Sequence, residues 1–150
     1  MFVTSVINGQ RVFDSYSNLI KENTQSYTSI EHKVDSLLSI AEKENVLEEA
    51  ILIAHDFSIK HFSQGNYDSA IIYATKDVLY YEKRNTINEA YSNALFNLGF
   101  FLRYNHEYDN AIIHYNKVIA LDNNPEKVGR AYYDIGLIHK NQDDYYNAIT

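Results

Sequence analysis

Between Val46 and Phe62, small and apolar residues recur every three or four positions: Leu47, Ala50, Ile51, Ala54, Phe57 and Ser58. That spacing paints one side of a helix. "SQGNY" interrupts it, with Gly65 suited to a left-handed helix end. A second stripe, Ala70, Ile71, Ala74, Val78 and Tyr81, predicts a helix from about Tyr67 to Lys83. "RNT" follows, and Thr86 with Glu89 three residues on has the spacing of a capping box. Further helices are expected over Ile87–Tyr104, Tyr108–Leu121 and Glu126–Lys140, with Pro125 near a first helical position. Another is expected from Tyr145, with Asp143 and Asp144 capping its start. Upstream, Ile30, Val34, Leu37, Leu38 and Ala41 form one more stripe, and Phe13, Tyr16, Leu19 and Ile20 a weaker one. No stretch alternates with period two, so the chain reads as all-α.

Two stretches share a skeleton. "NLGFFLRYNHEYDNAIIHY" starts at Asn97 and "DIGLIHKNQDDYYNAI" at Asp134. Gly99 and Gly136 stand 37 residues apart, as do Ala111 and Ala148; Ala70 and Ala111 are 41 apart. Helix pairs at such spacings cannot each bury a face alone, so they stack into a solenoid. In each pair a small residue lets the helices cross closely. Gly99 and Gly136 are expected at that crossing on the first helix, and Ala70, Ala111 and Ala148 on the second. Leu98, Leu102, Tyr108 and Tyr115, then Ile135 and Tyr145, fill the space around it.

Composition narrows the picture. The chain has 150 residues, 45% hydrophobic, with one proline, five glycines and no cysteine. This favours long helices in a folded chain and excludes disulfides, thiolate nucleophiles and cysteine zinc sites. A formal charge of −7 argues against nucleic-acid binding. No apolar run suits a membrane span, and "MFVTSVINGQ" lacks the parts of a signal peptide. A cytoplasmic location is expected unless such a leader has been removed. The final "DDYYNAIT" begins an apolar helix face at the chain's end, so the sequence reads as a fragment of a longer protein.

These residues resemble the tetratricopeptide repeat family. Leu98-Gly99, Tyr108, Ala111, Tyr115, Val118 and Pro125 match its pattern in one unit, and the stretch from Asp134 matches in the next. Gly65, Tyr67 and Ala70 match in an earlier unit. That unit departs at Ser58, where glycine is usual, and at Asp77, where a small apolar residue is usual. The resemblance implies a right-handed α-solenoid over residues 26–150, with residues 1–25 a separate helical segment. It also implies a groove lined by the first helix of each pair. Carried over position by position, the groove takes His55, Ile59 and Phe62; then Asn93, Phe96, Phe100 and Arg103; then Arg130, Tyr133, Leu137 and Lys140. Clamping of a chaperone tail is not expected, because only Asn97 and Arg130 suit it among His55, Ile59, Asn97, Arg130 and Asp134.

Chemistry is sparse by contrast. His55 and His61 are six apart on one helix, and His106, His114 and His139 lie on separate elements, so no metal site is expected. No cofactor, catalytic serine arrangement or phosphate loop is legible. Most of the fourteen tyrosines sit at packing positions. The outward members of the Tyr80–Tyr81 and Tyr132–Tyr133 doublets are candidates for contact. The expected role is a non-catalytic scaffold that binds a protein or peptide segment of apolar and somewhat acidic character. Its composition and spacings resemble the sensor part of a bacterial signalling protein. Two other roles stay open. One is a regulatory or docking arm for a histidine kinase or CHAT-type protease beyond residue 150. The other is self-association through the uncapped C-terminal end.

Overall fold

A computed structural model describes the backbone of residues 2–23 and 26–148, and the side chains of 11–23 and 26–142. Seven α-helices follow one another: α1 (Phe2–Glu22), α2 (Glu31–Lys43), α3 (Leu47–Ser63), α4 (Tyr67–Lys83), α5 (Glu89–Tyr104), α6 (Tyr108–Leu121) and α7 (Pro125–Ala148). A 3-10 turn, Thr28–Ile30, precedes α2. No strand occurs among the described residues. The fold is an all-α succession of helical hairpins, divided into two compact units, Met1–Thr86 and Ile87–Thr150.

Four helices end in the same way. Asn45, Gly65, Asn85 and His106 adopt positive φ, between 50° and 76°. The next residue's N–H reaches back into the preceding helix: Val46 to Ala41, Asn66 to His61, Thr86 to Tyr81 and Glu107 to Leu102. Each terminus is therefore closed by a left-handed residue that satisfies the last carbonyls. Three of those residues are not glycine, and pattern reading recognised only Gly65. Thr86 is consumed by this stop signal and does not cap the next helix. Asn88 caps it instead, its Oδ1 accepting from Tyr91 N–H at 2.9 Å, so α5 starts at Glu89. Pro125 does open α7, with Asn124 Oδ1 accepting from Glu126 N–H at 3.0 Å.

In the first unit, α3 and α4 form an antiparallel hairpin, and α1 and α2 pack together and onto α3. Residues 1–25, separate by pattern, supply α1, whose Val12 and Tyr16 join the core of Ile30, Val34, Leu38, Ala50, Ile53, Phe57 and Tyr73. The weak stripe of α1 was thus a core face. In the second unit, α5 and α6 form the hairpin and α7 packs against both. A Cβ added to Gly99 would lie 3.1 Å from the Tyr115 ring, so this glycine does mark a close crossing.

Gly136 does not. An added Cβ there meets nothing within 4 Å. The reason is that α7 continues through Asn141–Asp144, where a turn was expected. "NQDD" contains neither glycine nor proline, so nothing local halts the helix. Asp143 and Asp144 therefore lie inside α7 and do not cap a new helix. Tyr145 and Ala148 continue α7, and their side-chain packing, like Ile149, lies outside the described residues. Ile138 is fully buried on the face toward the hairpin, together with Ala131 and Asp134.

Candidate binding faces

Each unit presents one helix face worth examining as a binding surface. In the first, His55, Ile59 and Phe62 project from α3. Ile59 is 43% exposed, His55 and Phe62 are half-buried, and the Phe62 ring lies 5.4 Å from that of Tyr67. Leu52, 51% exposed, completes this line about two helical turns before Ile59. Sequence reading missed it, although Leu52 stands 41 residues before Asn93 and the same offset would have selected it.

Behind this face lies a buried polar pair. His55 Nδ1 and Asp77 Oδ2 are 2.9 Å apart, and Asp77 is almost wholly buried on α4. Its second oxygen, Oδ1, is buried without a hydrogen bond. The hydrogen bond to Asp77 raises the His55 pKa above the ordinary imidazole value, and burial raises that of Asp77. A few residues on, His61 is fully buried against Phe57 and Tyr73, its ring stacked at 5.6 Å on the latter. Glu31 Oε1 is 3.4 Å from its Nε2 but is held by Ser69 Oγ at 2.6 Å, and burial dominates to keep His61 neutral.

In the second unit, Asn93, Phe96, Phe100 and Arg103 come from α5, and Arg130, Tyr133, Leu137 and Lys140 from α7. They differ sharply in access. Asn93, Arg130 and Lys140 are exposed and Tyr133 is 67% exposed, whereas Phe100 and Leu137 are half-buried. Phe96 is only 8% exposed, wedged edge-on to Tyr115 with the Arg130 guanidinium 5.1 Å above its ring. Its pattern position suggested an open groove residue, but Arg130 and Tyr115 cover it. Arg103 stacks over Phe100 and Tyr104 at 5.2 and 4.8 Å, and its Nε lies 3.4 Å from Asp134 Oδ1. Both groups are largely buried, so Arg103 is neutralised internally and does not face a partner as a free cation. The Tyr115 hydroxyl is buried without a hydrogen bond of full geometry, with Asp134 and Arg103 as charged neighbours. Burial pushes its pKa up.

Tyr132 and Tyr133 are both exposed, where only one member of the doublet was expected outward. Tyr132 shares the uncovered side of α7 with Gly136. The start of α7 is pinned by Asp122, which accepts from Ser92 and forms an ion pair with Lys127 Nζ at 2.8 Å. Lys127 in particular holds the Asp122 pKa down at about 2.

Tetratricopeptide repeat family models match residues 92–125 and 129–150. The chain carries tetratricopeptide repeats over these residues. Such repeats bind protein or peptide partners, generally without catalysis, so the chain is a protein-interaction scaffold. The first match takes in α5 and α6 and the second lies within α7 and the two residues after it. No curated protein matches the chain. Among the described residues no His, Cys, Asp and Glu cluster could hold a metal ion, and no helix is long and apolar enough to cross a membrane.

Proposed function

We propose that the face made by α5 and α7 binds an extended or helical segment with apolar anchors and acidic side chains. One observation carries this reading: the exposed Arg130 guanidinium sits over the Phe96 ring at 5.1 Å, three residues before exposed Tyr133 on α7, with no anionic partner among the described residues. A guanidinium held on a ring keeps its N–H edge free for a carboxylate. Asp134, four residues on, is occupied by Arg103 and does not compete. Lys140 adds a second exposed cation, so the face offers donors in a protein of net charge −7. Aromatic and arginine side chains also dominate interface energetics, at about 2 kcal/mol or more for a strong contact.

The test compares partner capture by wild type and by Phe100→Ala/Arg130→Ala, with helical circular dichroism as the folding control. The expected result is loss of the partner in the double variant, and capture by wild type that slows as salt is added. Equal yields from a folded double variant would refute this face as the binding site.

Self-association is a second reading, and the open space beside Gly136 favours it. It predicts a sedimentation coefficient that rises with concentration and becomes constant in Gly136→Leu. A constant value in wild type would exclude it.

A further inference from the structure

We infer that α7 pairs with α7 of a second copy, antiparallel about a two-fold axis near Asp134, so that the Tyr132 ring of each copy fills the space over Gly136 of the other. The inference rests on the second reading above, self-association beside Gly136. It deepens that reading by naming the direction of pairing and the residues that meet.

The first support is a packing arrangement that this chain already uses. At the α5/α6 crossing the Tyr115 ring lies against Gly99, where an added Cβ would be 3.1 Å from it. Gly136 holds the same repeat position 37 residues on, yet an added Cβ there meets nothing within 4 Å. Because α7 runs straight to Ala148, no helix of the second unit returns across this side among the described residues. Ala131, Asp134 and Ile138 bury the opposite side of α7.

α7 itself carries the ring that this open side suits. Tyr132, 60% exposed, stands four residues before Gly136, one turn away on the same side. One helix therefore presents both halves of a glycine–tyrosine crossing. It cannot close them on itself, since both point the same way. A second α7 laid antiparallel closes both at once, which makes the contact isologous, as in most two-copy assemblies.

The second support is charge, and it fixes the direction. Glu126, Tyr133 and Lys140 recur every seven residues along the flank of that side, and all three are exposed. In an antiparallel pair, Glu126 of each copy meets Lys140 of the other, and the two Tyr133 rings meet at the axis. Both sets share one centre: 132 and 136 are symmetric about 134, and 126 and 140 about 133, only about 1.5 Å of helix apart. A parallel pair would set glutamate against glutamate and lysine against lysine, and would leave Gly136 open. Tyr133 and Lys140 also belong to the α5/α7 face, so pairing and capture of a partner there compete for the same side chains.

Sedimentation equilibrium of the full chain from about 1 µM to about 1 mM tests the pairing. Wild type should pass from monomer to dimer and no further, because a two-fold contact is closed. Tyr132→Ala, at an exposed position, should keep its helical circular dichroism and raise the dimer Kd about tenfold or more. Glu126→Lys and Lys140→Glu should each weaken the dimer, and an equimolar mixture of the two should restore it, since every facing pair is then opposite in charge. The chain has no cysteine, so single variants Glu126→Cys and Lys140→Cys report the direction. Mixed and oxidised, they should cross-link to each other rather than to themselves. Undiminished pairing in folded Tyr132→Ala, no recovery in the charge mixture, or cross-links chiefly between identical variants would overturn this arrangement and leave self-association standing. A wild type that stays monomeric throughout would overturn both.

Discussion

The hairpins α3/α4 and α5/α6 are the same object built with opposite choices. At the crossing of the second, Gly99 lies against the Tyr115 ring. Forty-one residues earlier, the first hairpin has Ser58 and Ala74, both buried. One solution pairs the smallest residue with a large ring; the other pairs two small ones. Ser58 can take the glycine position because its hydroxyl donates to the His55 carbonyl at 2.7 Å, so no polar atom is stranded. Next to this crossing, His55 and Asp77 replace Phe96 and Val118, and His61 stands where the second hairpin has Leu102. The backbone motif tolerates either core as long as volume is shared. The first hairpin thereby acquires ionisable groups, which the second lacks at the same positions.

The largest expected effect comes from breaking the polar pair on one side only. His55→Phe leaves the Asp77 carboxylate buried and alone, which should destabilise the first unit by about 3 kcal/mol. His55→Phe/Asp77→Val installs the second hairpin's solution and should recover most of that loss. Chemical denaturation of both variants checks it, and a double variant as unstable as the single would show that the two hairpins are not interchangeable.

The two repeat glycines come next. Gly99→Val forces a branched side chain into the Tyr115 ring and should cost about 1–3 kcal/mol. Gly136→Ala fills open space on a helix and should stabilise by up to about 1 kcal/mol. Thermal melts of both should move in opposite directions. A matching loss at Gly136 would mean that a helix crosses there as well.

The smallest effect is the pH response. The folded pKa of His61 lies below its unfolded value of about 6.5, because burial penalises the imidazolium. Its contribution is therefore present above that value and lost as pH falls below it. His55 has a raised folded pKa, so its contribution is present below about 6.5 and lost as pH rises through the folded value. Stability of the first unit should thus decline on both sides of neutrality. His61→Phe should remove the acid-side loss, and His55→Phe/Asp77→Val the alkaline-side loss, in denaturation curves measured across pH. A wild-type curve that is flat across neutrality would contradict both assignments.

Helix existence was legible along the chain because each stripe of period 3.6 must find a core. The repeat offset was legible because each hairpin must reuse the same crossing. Helix ends were less so. Asn45, Asn85 and His106 take the left-handed conformation that only Gly65 announces by residue type, and Thr86 looked like a cap while serving as the residue after a stop. On the candidate faces, position within the repeat picks out one side each of α3, α5 and α7. It could not say that Phe96 is covered, that Arg103 is spent on Asp134, or that Leu52 belongs to the set, because those depend on which neighbours reach across.

By itself, then, the sequence determined the all-α hairpin architecture and the packing of Gly99 on Tyr115, since both follow from periodicity and volume along one chain. Tertiary structure alone decided that Gly136 stays open, that Asp77 is buried with His55, and that Arg103 is spent on Asp134 while Arg130 stays exposed over Phe96. The physical reason is common to all three. Periodicity reports which side of a helix is apolar, whereas the fate of a charge or a glycine depends on which atoms of another helix come within a few ångströms of it.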